Sequence, residues 1–179
     1  GSRDIGESDR VLALYTRYFG LVRGRAVALR AAKSKMRYSL QNYSLANVSL
    51  VRGKSGWRLA GAKSGMTGFD KDIKGWVAFA RIARLVTRFV AGEEKNENLF
   101  EILREAHLAL MRKECPAWAT IELVCVARIL HTLGYISSEA LETALLTHTT
   151  YTEDSLEEGK AMRDKLLHAV NQAISETHL

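Results

Sequence analysis

Between Leu21 and Leu29 the chain alternates two kinds of residue. Val22, Gly24, Ala26 and Ala28 take one face of a strand, and Leu21, Arg23, Arg25, Val27 and Leu29 take the other. A period of two is the mark of a β-strand. A face with so little volume fits a tight interior, so the pattern over Leu21–Arg30 predicts one wall of a small barrel. Gly24 reads as a candidate bulge. Val11–Tyr18 precedes this strand, and Gly20 breaks the two apart. Tyr43–Val51 is a further apolar stretch. Arg52-Gly53-Lys54-Ser55-Gly56 forms a turn with cations in it, and Trp57–Ala60 returns as the partner strand. Short antiparallel strands with one long irregular loop favour a barrel over a parallel sheet. Gly61–Gly68, with three glycines, reads as a linker.

From Lys71 the period becomes helical. Trp76, Phe79, Ala83, Val86 and Val90 form one stripe, while Lys74, Arg81, Arg84 and Arg88 form another, and Gly92 can end the helix. Asn98 with Glu101 resembles a capping pair ahead of Leu99, Ile102, Leu103, Ala106 and Leu110. Pro116 suits the first turn of a helix whose apolar face is Ile121, Val124, Cys125, Ile129 and Leu133, stopped by Gly134. Ser138–Leu146 predicts a short helix. A last helix starts at Asp154 and Glu157 and turns Leu156, Leu166, Leu167, Val170 and Ile174 inward.

Charge divides the chain along the same line. Before Asp70 there are 13 cations and 3 acids; the remainder has 13 cations and 17 acids. Arg23, Arg25, Arg30, Lys33, Lys35 and Arg37 fall within a single stretch that contains no acid. Sustained charge of one sign costs self-repulsion that a polyanion relieves. Aromatic residues are interleaved with these cations: Tyr15, Tyr18, Phe19, Tyr38, Tyr43 and Trp57. Cations for phosphates and aromatic faces for bases are what a single-stranded nucleic acid requires. Tyr15, Phe19 and Trp57 serve equally well as barrel filling, whereas Tyr38 and Tyr43 flank the basic loop and suit stacking.

Enzymatic motifs are missing. His107, His131, His148, His168 and His178 have no metal-ligand spacing, and the sequence has no phosphate-binding Gly-x-x-x-x-Gly-Lys-Ser/Thr loop or Gly-x-Ser-x-Gly elbow. Cys115 and Cys125 form neither a Cys-x-x-Cys pair nor a disulfide framework. These observations favour a binding protein without a cofactor or metal over an enzyme. No apolar run reaches the roughly 18 residues of a membrane helix, and the expected location is the cytoplasm.

The stretch from Arg3-Asp4-Ile5-Gly6-Glu7-Ser8-Asp9-Arg10-Val11 through Leu14-Tyr15-Thr16 and Phe19-Gly20-Leu21-Val22-Arg23 resembles the start of the RecO family of bacterial recombination mediators. The likeness continues at Lys33-Ser34-Lys35, Leu40-Gln41, Leu50-Val51-Arg52-Gly53 and Trp57-Arg58-Leu59. It returns at Asn98 to Leu103, at Glu122-Leu123 and at Leu133-Gly134-Tyr135-Ile136. The resemblance implies an α+β chain, with an N-terminal OB-fold barrel over residues 3–64 and an all-α helical domain over 70–179. It also implies binding of single- and double-stranded DNA, annealing of complementary strands, and cooperation with RecR in loading RecA onto DNA coated by single-strand-binding protein. The acidic C-terminal tail of that coating protein is a further implied partner, and nucleoid association follows from the same role.

Three departures from the family pattern stand out. Cys115 and Cys125 cannot supply the four-cysteine zinc module that many members carry, which implies a short form without metal. The loop Leu-Arg-Ala-Ala-Lys-Ser-Lys lacks the family's Gly and Pro and predicts a more helical path. The family has a strand before the Arg3–Glu7 block, where this chain has almost nothing. Either the sequence starts short of that strand or the barrel lacks it; an open barrel would leave a β edge available for another chain to pair with.

The expected phosphate contacts are Arg23, Arg25, Arg30, Lys33, Lys35, Arg37, Arg52, Lys54 and Arg58, with Tyr38 stacking on a base. Arg81, Arg84 and Arg88 are the expected dock for the acidic tail, since arginine suits carboxylates. Two other readings fit the same residues. One is an RNA-binding barrel of translation or RNA processing; the other is a basic scaffold that grips an acidic protein.

Overall fold

The computed structural model describes residues 1–65, 73–90, 92–112 and 115–177. The end of the expected linker at 66–68, the helix start at Lys71, and His178 lie outside them. The chain divides into two compact units. One comprises Gly1–Phe69 with Val90–Asn96, and the other comprises Asp70–Phe89 with Glu97–Leu179.

The first unit is a five-stranded sheet made of β1 (Ser2–Ile5), β2 (Asp9–Thr16), β3 (Gly20–Ala26), β4 (Ala46–Gly53) and β5 (Gly56–Ser64), with a four-residue helix α1 (Met36–Ser39) between β3 and β4. The strand order is β1-β2-β3-β5-β4, and β3 runs parallel to β5. This is the fold of an OB-type N-terminal domain, here as an open sheet. Tight turns set the registers. Thr16 faces Gly20 across a three-residue loop, with Gly20 at φ 62°. The Thr16 hydroxyl accepts from Phe19 N at 3.0 Å and donates to Gly20 O at 3.1 Å. Gly53 faces Gly56 across Lys54-Ser55. Glycine at a left-handed position is what such short hairpin loops need. Gly20 is doubly constrained, since a Cβ there would lie 2.0 Å from Glu94 O.

Along β3 the expected faces hold. Val22, Gly24 and Ala26 are buried, and Arg23 and Arg25 are exposed. The core is Leu12, Ala26, Leu29, Leu40 and Leu59. Several expectations are corrected here. β3 stops at Ala26, four residues early, because Ala28 turns to φ 51°. Leu29 therefore leaves the arginine face and is buried in the core. Gly24 is no bulge. It pairs regularly with Leu12 and Trp57, and a Cβ there would meet Leu59 Cδ1 at 2.6 Å. The irregularity lies instead between Ser49 and Leu50 in β4. Gly61–Ser64 continues β5 rather than opening a linker, since it pairs with Ala46–Ser49. The Arg3–Glu7 block itself supplies a strand, since Ser2–Ile5 pairs antiparallel with β2 at one edge of the sheet.

The second unit contains α2 (Ile73–Phe89), α3 (Glu97–Leu110), α4 (Trp118–Thr132), α5 (Ser138–Leu141), α6 (Glu153–Ala161) and α7 (Arg163–Glu176). α4 is its centre. Ile121, Val124, Cys125, Ala127, Ile129 and Leu130 are all buried, more of the circumference than a surface helix covers. Leu145, Leu146, Leu166, Val170 and Ala173 pack against it. Gly134, at φ 83°, follows α4 as expected. α5 is shorter than expected, because Glu142 turns left-handed after Leu141. The expected last helix is two helices that break at Met162. Thr152, not Asp154, caps the first of them by accepting from Ser155 N at 3.2 Å. Among the described residues no helix is long and apolar enough to cross a membrane.

Candidate nucleic-acid interface

Residues that face each other across paired strands share a side of the sheet. The register therefore sorts the basic residues. Arg3 faces Val11, Val11 faces Arg25, Arg25 faces Arg58, and Arg58 faces Val51. These five residues form one row across all five strands on the outer face, and Arg23 stands two positions along β3 from Arg25. At about 4.8 Å per strand, Arg3 to Arg58 spans about 14 Å. Asp9 joins this face. Asp9 accepts from Arg25 Nη2 at 2.6 Å and from Arg25 Nε at 2.9 Å, and its other oxygen accepts from Ala28 N at 2.8 Å. The Ala28 N–H first, then the Arg25 guanidinium, hold the Asp9 carboxyl below the usual carboxylate range.

The remaining candidates lie elsewhere on the same unit. Arg30 and Arg37 line a cleft with Arg10. Asp4 accepts from Arg10 Nε at 2.6 Å and lies 3.5 Å from Arg30 Nη1. Lys33 and Lys35 are exposed on the connection between β3 and α1. Tyr38 is 65% exposed; its ring lies 5.0 Å from the Arg37 guanidinium, and its hydroxyl accepts from Arg37 Nη2 at 3.0 Å. Lys54 sits at the tip of the β4–β5 hairpin. Arg52 faces Trp57, which puts it on the opposite side of the sheet from Arg58. It lies 5.2 Å from the Trp57 ring and 2.7 Å from Glu93. Phe19 meets Trp57 at 4.9 Å, ring to ring. The sheet thus brings Arg23, Arg25 and Arg58 together, and Arg30 with Arg37, while Arg52 stands apart.

Tyr15 and Tyr43 are half-buried, and burial first, then Glu94, raises the Tyr15 hydroxyl to about 12. Sequence reasoning missed Arg3 and Arg10. Both were visible as cations in the opening block, but placing them required the strand β1.

In the helical unit Arg81 is engaged. Its guanidinium gives two hydrogen bonds of 2.5 Å to Glu122 on α4, which raise its pKa. Arg84 and Arg88 are exposed one turn apart on α2. Cys115 and Cys125 are buried, and burial pushes the Cys125 thiol up to about 12.

Residues 1–63 match the family model described as recombination protein O N terminal. Over that stretch the chain is similar to the RecO family. Curated relatives extend the match into the helices. A DNA repair protein RecO of Desulforamulus reducens is 35% identical over 109 residues, 59% of this chain and 42% of that protein. The DNA repair protein RecO of Gloeothece citriformis is 24% identical over 169 residues, 88% of this chain and 60% of the relative. That of Dehalococcoides mccartyi is 25% identical over 155 residues, 75% and 61% respectively. The chain thus spans about half the length of the RecO proteins it matches. The matched family domain ends within β5, so the row Arg3–Val11–Arg25–Arg58–Val51 lies wholly inside it.

Proposed function

We propose that this chain acts in DNA repair as a recombination mediator. In this reading residues 3–64 bind single- and double-stranded DNA and anneal complementary strands, and residues 70–179 form the helical partner-binding part. The observation that carries it is the outer row, in which Arg25 and Arg58 face each other beside Asp9. Arg3 and Arg23 extend the same surface. Contacts of this kind read phosphate and not base edges, so binding is independent of sequence. Screening the backbone charge of two strands lets them approach, which is the physical step in annealing. Arg30, Lys33, Lys35, Arg37 and Lys54 extend the charge beyond the row, with Tyr38 as a stacking face. If about six phosphates are engaged, log affinity for a single strand falls against log salt with a slope of about −4.

The partners proposed with this role are RecR, the acidic C-terminal tail of single-strand-binding protein and, indirectly, RecA. Arg84 and Arg88 are the proposed tail contacts, and the location is the nucleoid-associated cytoplasm. We propose that the chain does no catalysis of its own. The deciding experiment is annealing of complementary oligonucleotides, bare and coated by single-strand-binding protein. Accelerated annealing on both substrates supports the reading. No acceleration, or tighter binding to RNA than to matched DNA, overturns it.

A further inference from the structure

We propose that the cleft at the Asp4–Arg10 end of the sheet holds one unstacked nucleotide of a single strand. This rests on the DNA-binding reading above and adds a distinct subsite to it. The cleft encloses about 410 Å³, within the range of small-ligand sites. Its lining offers two chemistries. Arg10, Arg30 and Arg37 supply guanidinium groups, Gln41 and Asn42 supply side-chain amides, and the nearly buried Leu29 and Leu40 close the bottom of the cleft. A nucleotide has matching parts in its anionic phosphate and its polar base edge. Asp4 ties Arg10 and Arg30 together, at 2.6 and 3.5 Å, and one carboxylate against three guanidinium groups leaves the cleft cationic. Amides donate and accept, so Gln41 and Asn42 can meet any base edge.

The backbone around the cleft is unusual in the same place. Among the described residues only Ala28, Tyr43 and Glu142 are non-glycine residues at positive φ. Ala28 directly precedes Leu29-Arg30, and Tyr43 directly follows Gln41-Asn42. Such conformations cost energy and persist where the surroundings fix them, often at binding sites. A base that is paired in a duplex cannot turn its pairing edge to the amides of Gln41 and Asn42. The subsite therefore selects single strands, while the outer row accepts both forms.

The test is a double-variant cycle on the full chain. Wild type and Gln41→Ala/Asn42→Ala are titrated with a short oligodeoxyadenylate, with an abasic backbone of equal length, and with a duplex. Both side chains are exposed, so the variant keeps its fold. The expected result is a loss of about fivefold to tenfold on the oligodeoxyadenylate, with no change on the abasic strand or the duplex. An equal loss on all three, or no loss on the oligodeoxyadenylate, overturns the subsite while wild-type DNA binding stands. If wild type binds none of the three at low salt, the DNA-binding reading fails and the subsite with it. Arg37→Gln should weaken the two single-stranded probes alike, since its contact is to phosphate; a loss confined to the base-bearing strand would overturn that role. Deoxyadenosine monophosphate distinguishes a nucleotide held within a strand from a free one. Saturable binding as tight as that of the strand would overturn the strand assignment.

Discussion

Arg25 and Arg58 face each other across β3 and β5, two guanidinium-bearing side chains in one register position. Like charges placed so repel in the free protein, by about 0.2–1 kcal/mol. A surface kept only for stability has no use for that arrangement.

Replacing the pair separates stability from binding. Arg58→Gln should unfold at a temperature no lower than wild type, because the facing repulsion is gone while Arg25 keeps its bonds to Asp9. In Arg25→Gln/Arg58→Gln the salt slope for single-stranded DNA should shrink by about 1.4, the share of two phosphates. Thermal melts and fluorescence anisotropy across a salt series read both. An unchanged slope would remove the row from the binding surface.

Arg128 is the structural cation of the helical unit. It is fully buried on α4 and donates to the carbonyls of Leu145 at 2.9 Å, Thr149 at 3.0 Å and Thr150 at 3.1 Å. The Tyr151 ring lies 4.7 Å away. Arg128→Ala leaves three carbonyls without this donor and opens a cavity, so it should cost about 3–5 kcal/mol in urea unfolding. DNA affinity, measured below the midpoint, should not move.

Asp9 gives the barrel unit a pH signature. Its folded pKa lies below the unfolded value, so its contribution is complete above about pH 4 and disappears as pH falls through the folded value. Asp9→Asn should therefore melt below wild type at neutral pH, and the gap should close in acid. A gap that persists in acid would mean that Asp9 acts through shape and not through charge.

On α2 the two kinds of arginine should behave differently. Arg84→Glu/Arg88→Glu should keep the melting temperature and lose binding of an acidic peptide ending in a hydrophobic residue. Arg81→Glu should lower the melting temperature, because it sets a second carboxylate against Glu122. Peptide competition together with melting distinguishes the two. Full peptide binding by the double variant would locate the tail elsewhere.

The β3 face was legible because Val22, Gly24 and Ala26 differ so sharply in size from their neighbours. The family likeness was legible in the opening block, which fills β1 and the start of β2. Other features depend on information that no local pattern carries. β1 has four residues, too few for an alternation to register. The break at Met162 has no Pro to announce it, and Gly159 falls inside α6 rather than at the break. Arg128 looks like any lone arginine until the carbonyls of Leu145, Thr149 and Thr150 close around it. The sides of Arg52 and Arg58 follow from the two-residue turn at Lys54-Ser55, which pairs 52 with 57 and 51 with 58. Once that turn length is known the assignment is arithmetic, but composition alone does not fix it.

The stretch Val90–Asn96 belongs to the barrel unit although α2 comes before it in the chain. Glu94 lies against Gly20, and Glu93 holds Arg52. During synthesis the sheet must therefore wait for residues made after an entire helix before its last contacts can form. A ribosome that stalled within α2 would expose a barrel still short of one of its walls.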